Sequence, residues 1–481
     1  MKKKRKTMKL HTLLYTLVLG LVFGSFSSCE KDLNALPSQA VVDETVVVDQ
    51  NSAQIALNGA YYRLANTGLN LSVQSTRWSN VNEVIPAMMA GWMSYGFGAT
   101  TTDTHDYTPA STGDWSYAYF ILNAANGTIA GVEAVADSKF TGNRKTEILA
   151  EARFLRAYAH FHLLSYFGEW FDLNSIHGVL LRDKPLIFGN GNNQPRSTVK
   201  DSYAYILQDI DYAITHAKEN NPAHYVNKAA AQALKIRVLM SRGQQSDYTA
   251  LITLADEIIA NPNYALETSL KDLFQSKGLT SKEVILGITP YPTQRSRNAT
   301  YEYIQSSVYI ASPAFKTLLA NDPRASWMLT PSTHPTVLIY NTDPQYLTKY
   351  KGTHYEDAYV FRLTEVHLLK AEAIVRSGGS LNTAKTILKN IMGHAGVTDF
   401  SAVDNATTTD QVLYQIYLEF SRNFVSENGV DWFALLRLPY ETVKTLRPTI
   451  TTKTKYIFPI PATEFQTNPS IGDQNPGYPK E

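Results

Sequence analysis

Ile148, Ala152, Leu155, Ala159, Leu163 and Tyr166 recur at steps of four, three, four, four and three. That spacing draws one face of an α-helix. Phe154, Tyr158, Phe161 and Ser165 lay down a second, mostly apolar face, and polar room is left only at Glu147, Glu151, Arg153 and His160. A helix apolar on two sides must be packed on two sides. The stretch 146–170 is therefore predicted as a core helix of a helical assembly. Gly168 is placed to let the chain leave that helix in a left-handed conformation.

The same period predicts helices over 51–64, 115–135, 198–217, 227–241 and 248–259, with a linker over 173–197. It resumes from Val360 to a stop at Gly378-Gly379, then over 383–392 and 409–425. Helix pairs joined by short loops are the solenoid pattern, although the strict tetratricopeptide consensus is absent. The fold class read from this is mostly α, with a helical scaffold over about 51–66, 115–260 and 357–437. Two stretches interrupt it. Residues 67–114 and 261–350 carry no sustained period, apart from a strand predicted at Val284–Ile288.

The interruptions are rich in rings, among them Trp78, Trp92, Tyr95, Phe97, Tyr107, Tyr291 and Trp327, with Gly91, Gly96 and Gly98 between some of them. Loops this long inside a folded domain usually carry function. A flat apolar ring packs well on the C–H face of a pyranose, and a few polar groups then fix orientation. Trp92, Tyr95, Tyr291 and Trp327 are the candidate ring platforms, with Arg77 as a hydrogen-bond donor. The competing reading is that tryptophans such as Trp78 and Trp92 plug the core under the loop.

Charge changes the picture little until the chain is divided. All six basic residues before Cys29 lie in the first nine positions, ahead of an apolar stretch, Leu10–Phe23, and the small residues Gly24, Ser25, Ser27 and Ser28. This is the layout of a secretory signal over 1–28, too short and asymmetric for a membrane span. Without it, 38 basic residues face 43 acidic ones, a balance that gives no support for nucleic-acid binding. Cys29 is the only cysteine of the 481 residues, so no intramolecular disulfide can form. Residues 29–50 read as a polar tether. No GxSxG, P-loop or HExxH pattern occurs. His160 and His162 are two apart on a helix and read as packing or surface residues.

Phe26-Ser27-Ser28-Cys29 resembles a loose bacterial lipobox, and Glu30, Lys31 and Asp32 resemble the export signal that follows it in surface lipoproteins of Bacteroidetes. AEARFLRAYAHFHLLSYFGEW is similar to the core helix of the SusD/RagB family. R-L-x-E-V-x-L-L-x-A-E-A, from Arg362, is similar to that family's late helix. The end, over 455–481, resembles its extended terminal P-I-P-x-x-E-x-x-x-N-P-x-x-x-Q-N-P-G-Y segment through Pro459, Ile460, Pro461, Glu464, Asn468, Pro469, Gln474, Asn475, Pro476, Gly477 and Tyr478. The chain departs from the family at ENGVDWFALLR, where Asp431 and Ala434 replace an expected Arg and Asp. Loss of a partly exposed salt bridge there would cost about 1 kcal/mol.

The resemblance implies degenerate tetratricopeptide-like helix pairs, with the two irregular regions forming a ligand-facing surface. It implies a lipoprotein acylated at Cys29, held on the outer membrane by its acyl chains and exposed at the cell surface. The expected function is capture of an oligosaccharide and its delivery to a SusC-like TonB-dependent outer-membrane transporter, with no catalysis, cofactor or metal. A peptide-binding member of the same family is the alternative, and a surface hydrolase a remote third.

Overall fold

The computed structural model describes residues 47–65, 78–110, 113–186, 193–289, 309–352, 354 and 357–481. All of them fall in one unit, Glu44–Glu481. The predicted signal, Cys29, most of the tether, Arg77 and Tyr291 lie outside the described residues.

The long helices are α1 (Gln50–Ala65), α3 (Gly113–Ala134), α4 (Arg144–Phe167), α5 (Val199–His216), α6 (Lys228–Arg242) and α7 (Gln245–Ala260). After an insertion come α9 (Leu363–Arg376), α10 (Leu381–His394) and α11 (Thr409–Phe424). Short helices α2 (Ile85–Ala90), α8 (Pro313–Leu319) and α12 (Val430–Leu436) belong to the intervening segments. Each long helix packs on the next: α1 on α3, α3 on α4, and so on to α7, which packs on α9 across the insertion. Stacked helix pairs of this kind build one continuous core from neighbour contacts.

Local chemistry starts these helices where the polar residues fall. Thr198 Oγ1 accepts from the Asp201 N–H at 3.0 Å, and Asn227 Oδ1 accepts from the Ala230 N–H at 2.9 Å. Thr408 and Gln411 form a reciprocal capping box on α11. Each cap satisfies a donor that the first helical turn leaves open.

Helix α4 is the buried centre. Leu155, Ala159 and Leu163 are fully enclosed, and so are Glu151 and His160 on the side expected to be polar. Glu151 accepts from Tyr61 Oη at 2.7 Å and from Arg144 at 3.0 Å. Burial draws His160 and His162 down to about 3, so both rings are neutral packing groups. Gly168 does not end α4 in the left-handed region, because its φ is −108°. Glycine is needed there for space: a Cβ would lie 2.7 Å from Leu164 Cδ1 and 3.2 Å from the His177 carbonyl.

The C-terminal segment closes the open end of α4. The Phe458 N–H donates to the Tyr166 carbonyl at 2.7 Å, and Asn475 Nδ2 donates to the Phe167 carbonyl at 2.8 Å. Gln474 holds the strand-like stretch in place, accepting from the Ile460 N–H and donating back to its carbonyl. The terminal segment thus donates to the last carbonyls of α4, and the Phe167 carbonyl accepts from Arg196 Nη2 as well, at 3.1 Å. A short helix, Ala462–Thr467, interrupts the extended segment.

Among the described residues, three two-stranded antiparallel sheets organise the insertions. β1 (Met93–Tyr95) pairs with β3 (Tyr309–Ala311), β2 (Val284–Ile288) with β6 (Ala358–Arg362), and β4 (Leu329–Pro331) with β5 (Gln345–Leu347). Every residue of β2 and β6 is buried. β6 occupies residues expected to be helical, and the late helix begins only at Leu363. Residues 78–110 are also less irregular than their sequence suggests. A π-helical stretch, Ser79–Val84, runs into α2, burying Val81, Val84, Met88 and Met89. The wider π turn displaces the 3.6-residue period that would have announced it.

A charged cluster is sealed where the second insertion returns to the helices. Arg362, fully buried, forks onto Glu427 and reaches Glu283 Oε1 at 2.5 Å. Lys349 Nζ donates to Glu427 Oε2 at 2.6 Å and to the Asn423 carbonyl at 2.8 Å. Burial draws the Lys349 ammonium down to about 8. Asp431 is fully buried beside this cluster rather than partly exposed. Its Oδ1 accepts from the Trp432 N–H at 3.0 Å, while its Oδ2 meets no donor.

Candidate functional site

Helix α2 ends at Gly91, whose φ of +84° turns the chain toward β1. A Cβ there would lie 2.6 Å from the Arg447 guanidinium, which donates to the Met88, Met89 and Asp103 carbonyls. Ser312 then joins the two insertions. Its hydroxyl donates to the Gly91 carbonyl at 2.6 Å and its N–H to the Trp92 carbonyl at 2.9 Å.

Strand pairing places Tyr95 directly opposite Tyr309. Their rings are 5.6 Å apart, the cross-strand contact that aligns aromatic side chains on one face of a sheet. Phe97 sets its edge against Tyr95 at 5.3 Å, and His334 lies 5.6 Å from Phe97. All four rings are half-buried. Asn341 Nδ2 donates to the Gly96 carbonyl at 2.7 Å and ties the short helix Pro335–Tyr340 to this turn. That helix carries Leu338, Ile339 and Tyr340 at 50%, 75% and 62% exposure. An apolar, ring-rich face of this kind, built from two sequence-distant insertions, is the usual mark of an interaction surface. Burial and the neighbouring Tyr95 keep the Tyr309 phenol above its ordinary range, so it remains a neutral O–H.

The structure separates the sequence candidates. Tyr95 lies in the face. Trp92, three residues earlier in the chain, does not: it is 7% exposed, with Phe315 at 5.9 Å and Tyr417 at 6.3 Å from its ring. Enclosed between these two rings, Trp92 presents little surface to a ligand. Trp78 is likewise core, at 1% exposure. Trp327 is half-buried and stacks on Phe274 at 6.3 Å, in a ring cluster with Tyr350 and Tyr359. Phe97, Tyr309 and His334, which share the face with Tyr95, are not among the sequence candidates, because nothing in the sequence shows that residue 309 pairs with residue 95. Among the described residues, no group of His, Cys, Asp and Glu side chains is arranged to hold a metal, and no helix is long and apolar enough to cross a membrane.

Scaffold and face together define a stacked helix-pair protein carrying a partly exposed aromatic face on its insertions. A family described as "Starch-binding associating with outer membrane" matches residues 30–240, and the family described as "SusD family" matches residues 293–448. A SusD-like protein of Bacteroides ovatus is 25% identical over 188 residues, 37% of this chain and 33% of the relative. SusD-like protein P25 of Formosa agariphila is 21% identical over 278 residues, 55% of this chain and 49% of the relative. The chain thus spans about a third to a half of the length of these curated relatives.

Among solved structures, a SusD superfamily protein from Bacteroides thetaiotaomicron superposes with a TM-score of 0.71 at 21% identity, over 89% of this chain and all of that one. A surface glycan-binding protein A from the same species, in complex with laminarihexaose, gives a TM-score of 0.69 at 19% identity, over 88% and 99% of the two chains. The chain belongs to the SusD/RagB family.

Proposed function

We propose that this protein captures glycans at the cell surface, without turning them over, and passes them to a SusC-like TonB-dependent outer-membrane transporter. The observation that carries the reading is the ring face built from Tyr95, Phe97, Tyr309 and His334. Half-buried rings, two of them held by strand pairing, can stack on a sugar without further ordering, which lowers the entropic cost of binding. A similar fold holding laminarihexaose and a matching family described as starch-binding and outer-membrane-associated both support it. Tyr291 and Arg77 belong to the proposal as a further ring and a donor, and Trp327 as a separate ring position. Acylation at Cys29 completes it, since each buried methylene of an acyl chain contributes about 0.8 kcal/mol to membrane attachment.

A Tyr95→Ala, Tyr309→Ala double variant is expected to bind oligosaccharide at least about tenfold more weakly, because truncating a central contact residue commonly costs more than about 1 kcal/mol. Calorimetry with laminarihexaose and starch oligosaccharides measures this, with circular dichroism confirming the fold. Affinity equal to that of the unaltered protein for every sugar bound would remove the face from the reading. Peptides that bind where all glycans fail would move it to peptide capture.

A further inference from the structure

A cavity of about 300 Å³ shares no residue with the ring face. It sits where α3, the segment after α4 and the C-terminal segment meet. Trp115, Tyr119 and Phe120 supply rings from α3, Arg182 comes from the segment after α4, and Glu464 and Asn468 come from the terminal motif. Its volume is at the lower end of the range that holds small organic ligands.

The two charged groups of its lining are unequally served. Glu464 already accepts twice, from Trp115 Nε1 at 3.2 Å and from Asn468 Nδ2 at 3.4 Å. The Arg182 guanidinium makes no hydrogen bond or ion pair with a described residue, and its Nε is buried with no acceptor. Arg182 and Arg196 both bear on the Tyr119 phenol, as does Glu464. Burial keeps that phenol protonated, so it stays an O–H donor. The unmatched group in this cavity is therefore a cation beside aromatic walls. A guanidinium whose Nε is buried without an acceptor has donors to spare, and its planar fork fits a carboxylate in two parallel hydrogen bonds.

We infer that this cavity binds a sugar bearing a carboxylate, a uronic acid residue, with the carboxylate on Arg182 and the ring against Tyr119 and Phe120. The free lone pairs of Glu464 and the hydroxyls of Ser116 and Thr467 face the remaining sugar hydroxyls. The inference concerns a site distinct from the ring face and does not require that face to bind glycan.

The test is titration of the full chain with glucuronate and galacturonate, their neutral counterparts glucose and galactose, and acetate, followed by calorimetry and by the Arg182 Nε–H resonance. Uronates are expected to bind and shift that resonance, with neutral sugars and acetate at least about tenfold weaker. Arg182→Gln should abolish uronate binding, and Arg182→Lys should restore only part of it, because an ammonium lacks the fork. Phe120→Ala, which leaves the charge in place, should weaken uronates and leave acetate unchanged. The Tyr95→Ala, Tyr309→Ala variant should bind uronates as the unaltered protein does. Equal binding of glucose, equal binding of acetate, or uronate affinity unmoved by Arg182→Gln would each overturn the assignment. So would loss of uronate binding in the Tyr95→Ala, Tyr309→Ala variant, which would merge the two sites.

Discussion

An Arg362→Ala protein is expected to lose about 3–5 kcal/mol of folding stability, the cost of breaking a buried ion pair by removing one partner. The guanidinium is fully enclosed and serves two carboxylates, Glu427 and Glu283, each almost fully buried. Thr364 Oγ1 also donates to Glu283, at 2.5 Å. Truncation leaves both carboxylates desolvated, with Lys349 alone to answer Glu427. Chemical denaturation followed by circular dichroism measures the loss. The surface pair Lys370–Asp256 is the control, since Asp256 is largely exposed. Lys370→Ala should change stability by no more than about 1 kcal/mol. A midpoint for Arg362→Ala as close to the unaltered protein as that of Lys370→Ala would show that the cluster does not hold the fold.

The cluster's position connects it to function. Arg362 ends β6, and β6 pairs with β2, so the buried charges fasten the return of the second insertion to α9 and α11. The same insertion supplies Tyr309 and the Pro335–Tyr340 helix to the ring face. Rigid support beneath a binding surface preserves its geometry without further ordering on binding. Trp92 anchors the first insertion, packed between Phe315 of α8 and Tyr417 of α11.

The helices were legible because burial and period coincide. In α4 the apolar steps recur from Ile148 to Tyr166, and every one of those side chains is enclosed. Strand β2 was readable as a short apolar run. β6 was not, because Val360 and Phe361 form an apolar run that a buried strand and a buried helix share. The π turn before α2 hid behind its displaced period. The ring face was half legible. Glycine-flanked aromatics marked the region, but a ring's neighbours decide whether it faces ligand or core, and those come from distant segments. Trp92 and Tyr95 are close neighbours in sequence, yet one is enclosed by α8 and α11 while the other meets Tyr309. The terminal motif was readable as an extended segment, but nothing in it showed that Asn475 reaches the last carbonyl of α4.

Replacing Asp431 by asparagine is expected to reshape the pH dependence of stability. Desolvation lifts the Asp431 carboxyl from its ordinary 3.8 to about 7, outweighing the Trp432 N–H and the nearby Lys349, which pull it down. The folded protein therefore holds this proton in a range where the unfolded chain has released it. Where the folded state binds more protons, stability falls as pH rises. The contribution of Asp431 is thus fully kept below about pH 4 and lost progressively toward about pH 7. The loss reaches as much as ~4 kcal/mol, because each tenfold difference in proton affinity between the folded and unfolded chain is worth about 1.4 kcal/mol. Asparagine keeps the acceptor for the Trp432 N–H and never ionises. Asp431→Asn should accordingly match the unaltered protein near about pH 4 and exceed it near about pH 8. Urea denaturation at the two pH values measures the difference. A gap between variant and unaltered protein that is the same at both ends would show that Asp431 titrates as an ordinary carboxylate, and that its burial carries no electrostatic cost.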